Sequence, residues 1–160
     1  MKEYLIYRAL AHTGELSVRK EKAWKESEYC ALCAHLCGVN RLRGEKGVRQ
    51  AGDNVQISGY GPHYSEEDVL VGTGGSGTIF FTGCNLQCVF CQNWDISQLR
   101  EGETFSTQRL GEIMLCLEER GCHNINLVSP SHYLPQFLSA QNNLAHDHFS
   151  RKRSFSTSCR

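Results

Sequence analysis

Three cysteines within eight residues, directly after a short apolar run, constrain this chain more than any other feature of its sequence. The run TIFF (78–81) is typical of a buried strand, and it leads into GCNLQCVFCQNW (83–94) with Cys84, Cys88 and Cys91. A disulfide needs two thiols, and a closed zinc site needs four ligands. Three thiolates suit a cubane of four irons and four sulfides that keeps its fourth iron open, whereas electron-carrying ferredoxins supply four cysteines per cluster.

The residues around this cysteine loop predict a βαβ unit. We expect a buried strand at 78–82, a long loop after it, and a helix over 106–121, whose apolar residues recur at helical spacing. Ser106 suits the N-cap and Gly121 the position after the helix. His123–Val128 alternates as a second strand. This order implies a parallel sheet, with the cysteine loop at the carboxyl end of its first strand, where α/β folds build their sites.

The region before that strand is predicted to begin with two helices, at 2–11 and 15–27. Short strands are expected at Val55–Ser58 and Val69–Val71. The stretch GTGGSG (72–77) leads into a strand, has no helix behind it and lacks a lysine. It therefore predicts a flexible entry to the strand and not a phosphate-binding loop.

A second cysteine group lies upstream in CALCAHLCGVNRLRGEKG (30–47), at Cys30, Cys33 and Cys37. Its C-x2-C could pair with the later C-x2-C into a four-thiolate zinc site, an alternative that would leave Cys37 and Cys84 without a role. Three thiolates could also bind a metal with His35 or water as the fourth ligand. The isolated Cys116 and Cys122 are expected to be buried as small hydrophobes.

Charge and hydropathy exclude several classes of partner. The 17 basic and 17 acidic residues balance, and no basic stripe indicates nucleic acid. No apolar run is long enough to span a membrane. Glu3 and Arg8 interrupt the first apolar run, so it does not resemble a signal peptide. We therefore expect a cytoplasmic protein, and nine cysteines that fall mostly in two tight groups indicate metal binding in a reducing compartment more than disulfides.

Several segments resemble one enzyme family. The loop CNLQCVFC resembles the signature of the radical S-adenosylmethionine (radical SAM) enzymes, and GSGTIFFTGCNLQCVFCQN (75–93) resembles their branch similar to pyruvate formate-lyase activating enzyme. The segment YCALCAHLCGVNRLRGEKG (29–47) resembles that branch's N-terminal cysteine motif, and NINLVSPSHYLPQ (124–136) its second strand and following turn. The family usually has a further cysteine where this chain has Arg49.

The resemblance implies a site. Cys84, Cys88 and Cys91 would ligate a [4Fe-4S] cluster, and its open iron would bind S-adenosylmethionine. Phe90 would lie near the adenine of that cofactor. Three residues after the second strand would lie near its methionine moiety, although this branch lacks the usual glycine-glycine-glutamate there: Ser129, Pro130 and Ser131. No residue is assigned a catalytic role.

The resemblance also implies a function. Members of the family cleave S-adenosylmethionine reductively to a 5′-deoxyadenosyl radical, which abstracts hydrogen from a substrate. The substrate is not indicated, and a glycyl-radical enzyme as partner protein is one alternative. A flavodoxin- or ferredoxin-like protein would donate the electron. The alternative from another class is a catalytically inactive, zinc-binding structural or interaction module.

The same comparison predicts the organisation of the chain. Residues 1–71 would form a small helical, cysteine-containing cap, and 72–140 the start of a radical SAM β/α barrel. Residues 141–160 contain a basic run and many serines without periodicity, so they are expected to be a disordered or unrelated tail. We thus expect an α/β fold that holds a partial barrel, truncated at its C-terminus relative to the family.

Overall fold

The structure is a computed structural model that describes residues 6–65 and 67–150. Its centre is one mixed sheet of four strands in the order β3-β1-β2-β4. Strand β1 spans Val55–His63, β2 Ser76–Phe81, β3 Glu103–Phe105 and β4 Ile125–Val128. Strand β1 pairs antiparallel with both β2 and β3, whereas β4 pairs parallel with β2. The described residues thus form an α/β fold, and the barrel stays a prediction.

The βαβ unit predicted from the sequence is confirmed. Helix α4, Thr107–Glu119, connects β2 to the parallel strand β4. Ser106 caps it, because its hydroxyl accepts a hydrogen bond from the Arg109 backbone N–H at 3.1 Å. Gly121 follows the helix with a φ of 90°, which favours glycine. Strand β2 is buried along nearly its whole length, as expected for a strand with neighbours on both sides.

The two N-terminal helices are confirmed over the described residues, while residues 2–5 of the first predicted helix lie outside them. Helix α1 spans Ile6–His12 and α2 spans Glu15–Lys25. Trp24 fastens α2 to the last helix, since its indole N–H donates to the Ser139 hydroxyl at 2.8 Å. The N-terminal helices therefore pack on the same body as the sheet.

Two strand predictions need correction. The strand expected at Val55–Ser58 extends to His63, because β1 has partners along its full length in β2 and β3. The strand expected at Val69–Val71 is wrong, since Asp68–Val71 forms a short helix, α3. Three apolar residues in four suit a strand or a helix equally, and a segment this short carries no period that decides between them.

Helix α5, Leu134–Ser150, corrects the predicted tail. Residues 141–150 continue this helix, and Asn142, Leu144 and Ala145 are buried. Leu144 lies where a side chain at Gly111 would contact it, so α5 packs closely against α4. Packing against α4 therefore fixes a stretch whose composition alone favoured disorder. Residues 151–160 lie outside the described residues, and the boundary predicted at residue 71 stays a prediction.

Candidate metal centre

The cysteine loop, residues 83–100, begins where β2 ends. Gly83 starts it with a φ of 71°, a left-handed conformation that turns the chain sharply away from the strand. The Gly83 N–H donates to the carbonyl of Ile96 at 2.9 Å, which closes the loop on itself. Strand β4 ends beside it at Val128, and the next residue, Ser129, also has positive φ. The loop therefore lies at the carboxyl end of both parallel strands, as the sequence predicts.

The three loop cysteines are free thiols at an open surface. Cys88 is exposed, and Cys84 and Cys91 are half-buried. Among residues 6–65 and 67–150, no three His, Cys, Asp or Glu side chains are gathered closely enough to hold a single metal ion. The four-thiolate grouping of the zinc alternative is therefore not formed by the described residues. A cubane cluster is wider than one ion and does not require its ligands to converge that closely.

Cys84 has the surroundings of a thiolate. Burial raises the pKa of its thiol, but several hydrogen bonds to sulfur outweigh burial and hold the pKa below its ordinary value. The main donors are the hydroxyl of Ser129 and the backbone N–H groups of Leu86 and Gln87. Metal ligation needs the deprotonated sulfur. The fold therefore favours the charge state that a cluster ligand requires.

The N-terminal cysteine segment, residues 30–50, packs against the cysteine loop through three hydrogen bonds. The Arg49 guanidinium donates to the Cys84 carbonyl at 2.6 Å. One residue later, the imidazole Nε2 of His35 lies 2.9 Å from the Asn85 carbonyl, to which it donates. Arg100, at the end of the loop, donates back to the Val48 carbonyl at 3.1 Å. His35, weighed from the sequence as a metal ligand, instead orients the loop backbone.

A small cavity of about 20 Å³ lies between this segment and His132. Three of its lining residues carry buried polar atoms that have no hydrogen-bond partner among the described residues. They are Nε of Arg41, Nε and Nη2 of Arg49, and Nδ1 of His132. The thiols of the upstream group line the same cavity, namely Cys30, Cys33 and Cys37. Sequence reasoning did not anticipate this cavity, because it forms between segments more than 80 residues apart.

His132 is the buried histidine beneath the loop. Its imidazole is 2% exposed, and burial lowers its pKa to about 4, although a hydrogen bond to the Thr82 carbonyl opposes this. Because a carbonyl only accepts, Nε2 carries the proton, and the neutral ring keeps a lone pair on Nδ1. Arg41 donates to the His132 carbonyl at 2.7 Å. The polar sequence HNINLVSPSHY gave no signal that this histidine would be buried.

The residues assigned to S-adenosylmethionine lie on two sides of the loop. Phe90 is 98% exposed, so its ring makes almost no contact with the described chain. Its aromatic face is therefore free to contact a ligand or a partner. Ser129 contacts the Cys84 thiol, and Ser131 is exposed at the start of a 3₁₀ turn, Ser131–Tyr133. The structure thus brings Ser129 to the cluster ligand itself, while the role of these residues toward the cofactor stays a prediction.

The two remaining described cysteines, Cys116 and Cys122, differ in their bonding. Cys122 is buried with a free thiol, as expected. Cys116 is half-buried on α4 and disulfide-bonded, which corrects the expectation of a buried free thiol. A helix position predicts burial but not pairing, because a disulfide depends on a second cysteine that the local sequence does not indicate.

The residues present fit an iron–sulfur cluster on two observations. The donor set is three free thiols on one loop, with one held toward its thiolate form. Beside that loop lies Arg49, a buried cation that donates to the Cys84 carbonyl and has no carboxylate partner among the described residues. The positive charge of Arg49 would favour an anionic group at the loop. Cys84, Cys88 and Cys91 would hold it.

Comparisons with known proteins agree with this chemistry. Residues 70–142 match the family model described as a 4Fe-4S single cluster domain, so the match includes the whole cysteine loop. The chain is 44% identical over 84 residues to an uncharacterized protein of Methanocaldococcus jannaschii. That alignment covers 52% of this chain and 23% of the relative's length. No solved structure matches the chain.

None of the helices in the described residues combines the length and the apolar character needed to cross a membrane. The comparisons and the geometry together indicate an iron–sulfur protein.

Proposed function

We propose that this chain carries the cluster centre of a radical SAM enzyme in the branch similar to pyruvate formate-lyase activating enzyme. One observation carries the proposal: a free C-x3-C-x2-C triad follows the buried strand β2 at the carboxyl edge of a parallel strand pair, inside the matched 4Fe-4S region. Three thiolates leave one iron of a cubane without a protein ligand. That open position is where a substrate-like cofactor can bind.

The chain's own residues would prepare this centre. Cys84, Cys88 and Cys91 bind three irons, and Ser129 holds the first thiolate by a hydrogen bond. When bound, the reduced cluster would supply the electron that cleaves S-adenosylmethionine to methionine and a 5′-deoxyadenosyl radical. Phe90 offers a free aromatic face to the adenine, and Pro130 and Ser131 adjoin the methionine side.

The proposal also covers the rest of the barrel, the electron donor and the substrate. The four-stranded sheet would be the first part of a β/α barrel, preceded by the helical cap. A flavodoxin- or ferredoxin-like protein in the cytoplasm would donate the electron, and the substrate would be a molecule or protein that loses a hydrogen atom, such as a glycyl-radical enzyme. Because the alignment spans 23% of the relative, the activity of the whole protein is part of the proposal.

Anaerobic reconstitution tests the metal. The purified 160-residue chain should bind iron and sulfide in near-equal amounts, about four of each, and become brown. Iron and acid-labile sulfide per chain are the measurement. Zinc at one per chain without sulfide would overturn the proposal and favour the structural zinc module.

A second measurement tests the open iron. S-adenosylmethionine added to the dithionite-reduced cluster should change its electron paramagnetic resonance spectrum, because the amino and carboxylate groups would ligate the free corner. Methylthioadenosine, which lacks the amino and carboxylate groups, serves as the control ligand and should leave the spectrum unchanged. A spectrum that does not respond to S-adenosylmethionine would contradict a radical SAM centre while leaving an iron–sulfur protein in place.

A further inference from the structure

Two of the arginines near the cysteine loop are buried without a carboxylate. Arg41 is 5% and Arg49 4% exposed, and neither lies within ion-pair distance of an acidic side chain among the described residues. A buried cation without a counter-charge is strongly unfavourable. Some other negative group must therefore balance at least one of them in the working protein.

The two arginines differ in what they contact. Arg41 donates to the carbonyls of His132 and Gly52, each at 2.7 Å, so it joins structural turns. Arg49 donates a single hydrogen bond, to the carbonyl of Cys84. Its Nε and Nη2 have no partner in the described chain. Of the two, Arg49 is therefore the cation that contacts the cysteine loop.

The electrostatic surroundings of Arg49 also connect it with the cysteines. Burial lowers the pKa of its guanidinium, the nearby Arg100 lowers it further, and the thiols of Cys33 and Cys84 oppose both effects. The nearby groups that favour its charge are thus sulfur atoms, one from each cysteine group. An arginine stays protonated under these conditions.

We propose that Arg49 is a positioning residue of the cluster centre: it fixes the backbone of the first ligand, Cys84, by its hydrogen bond to the Cys84 carbonyl, and its positive charge lies beside the sulfur that Cys84 gives to the bound cluster. This inference rests on the proposed function, because it assigns the negative partner to the cluster and its thiolates. The class of ligand is an electron-rich iron–sulfide group, to which N–H donors and positive charge are favourable.

The positive charge of Arg49 also affects the reduction of the cluster. Adding one electron from an external donor makes the centre more negative, and a fixed cation beside it stabilises the reduced form. Arg49 therefore raises the reduction potential. Without the cluster the same cation has no carboxylate partner among the described residues, so its charge favours the loaded protein over the empty one.

The experiment compares three variants of the full chain, each loaded anaerobically and titrated with dithionite. Arg49→Gln removes the charge and most donors, and we expect the one-electron equilibrium to favour the oxidised form at least tenfold more, a shift of about 59 mV to more negative potential. Arg49→Lys keeps the charge and should stay near the unchanged chain. Arg43→Gln, which removes an exposed charge on the neighbouring turn, is the matched control and should show no shift.

Unfolding of the metal-free proteins separates a cluster role from a structural one. Metal-free Arg49→Gln should be as stable as the unchanged chain or more stable, while its loaded form should lose iron faster to a chelator. An unchanged potential together with a less stable metal-free protein would overturn the inference. If Arg49→Gln holds no cluster, the Lys variant decides: a cluster at the original potential supports the inference, and no cluster overturns it.

Failure of the inference and of the proposed function are distinguishable. If the unchanged chain binds no iron and sulfide, the proposed function fails and the role of Arg49 fails with it. If the unchanged chain binds a cluster and Arg49→Gln binds it at the same potential, only the role of Arg49 is overturned.

Discussion

The chain contains two cysteine triads of mirrored spacing, and they have opposite surroundings. In the cysteine loop Cys88 is exposed, Cys84 and Cys91 are half-buried, and N–H and O–H donors surround the Cys84 thiol. The N-terminal cysteine segment lines a cavity of about 20 Å³ together with two buried arginines. Similar spacing therefore does not imply a similar role.

This difference indicates that the two triads have different roles. The loop supplies the anionic ligands, while the segment supplies cations and the hydrogen bonds that hold the loop backbone at Cys84 and Asn85. In this arrangement the segment acts on the loop as a support. The comparison predicts that changes in the loop affect cluster binding directly, and that changes in the segment affect it through the loop.

The largest expected effect separates the two triads by their cysteines. Replacing Cys84, Cys88 or Cys91 singly by Ala should abolish the cluster, since each removes one of three ligands. Cys37→Ala should keep about four irons per chain, because the segment holds no iron of its own in this interpretation. Iron and sulfide analysis of anaerobically reconstituted protein is the measurement, with Cys122→Ala as control. Equal iron loss in Cys37→Ala and Cys88→Ala would remove the distinction.

The second prediction concerns His132, which lies beneath both regions. Its folded pKa of about 4 is below the ordinary value of 6.5, so the unfolded chain binds more protons between these values. Its contribution to stability is therefore complete above about pH 6.5 and is lost as the pH falls toward 4. The loss reaches at most about 3 kcal/mol in the free energy of unfolding.

Urea unfolding of the metal-free protein at pH 4.5 and pH 7 measures this contribution. His132→Gln keeps an N–H donor for the Thr82 carbonyl but does not titrate, so the difference between the two pH values should shrink. If the variant loses as much stability as the unchanged chain, other groups cause the pH dependence.

The third prediction uses one glycine from each region. Gly83→Ala forces a side chain into a left-handed conformation at the start of the loop and should cost about 1–2 kcal/mol of stability. A side chain at Gly47 would meet the sulfur of Cys37, which can rotate away at a cost of about 1 kcal/mol. Thermal unfolding measures both effects. Only Gly83→Ala should also weaken cluster retention, and the reverse order would contradict the proposed division of roles.

Sequence reasoning reached the local features of this molecule and missed the contacts between distant segments. The β2–α4–β4 unit and the Ser106 cap follow from period and capping chemistry, which act over a few residues. The loop position followed from that topology. Composition failed at 141–150, because helix α5 is stabilised by packing against α2 and α4.

The same distinction between local features and distant contacts applies to the candidate site. The three loop thiols were predictable from their spacing alone. The role of Arg49 was not, since the sequence shows only an arginine where a cysteine was expected, and its burial against Cys84 depends on how two segments pack. His35 likewise offered a ligand nitrogen in the sequence and contacts a carbonyl in the fold.

The smallest expected effect tests whether the segment supports the loop at all. His35→Ala removes one partly buried hydrogen bond, to the Asn85 carbonyl, which should lower stability by about 1 kcal/mol. The change touches no proposed ligand, so the cluster should still form. Because that bond holds the loop one residue after Cys84, backbone amides of the loop should exchange hydrogen faster in the metal-free variant, while those of α4 should not. His123→Ala, at an exposed position before β4, provides the control. If exchange in the loop is unchanged, the segment and the loop are neighbours without a supporting role, and the Arg49 contact would have to hold the loop alone.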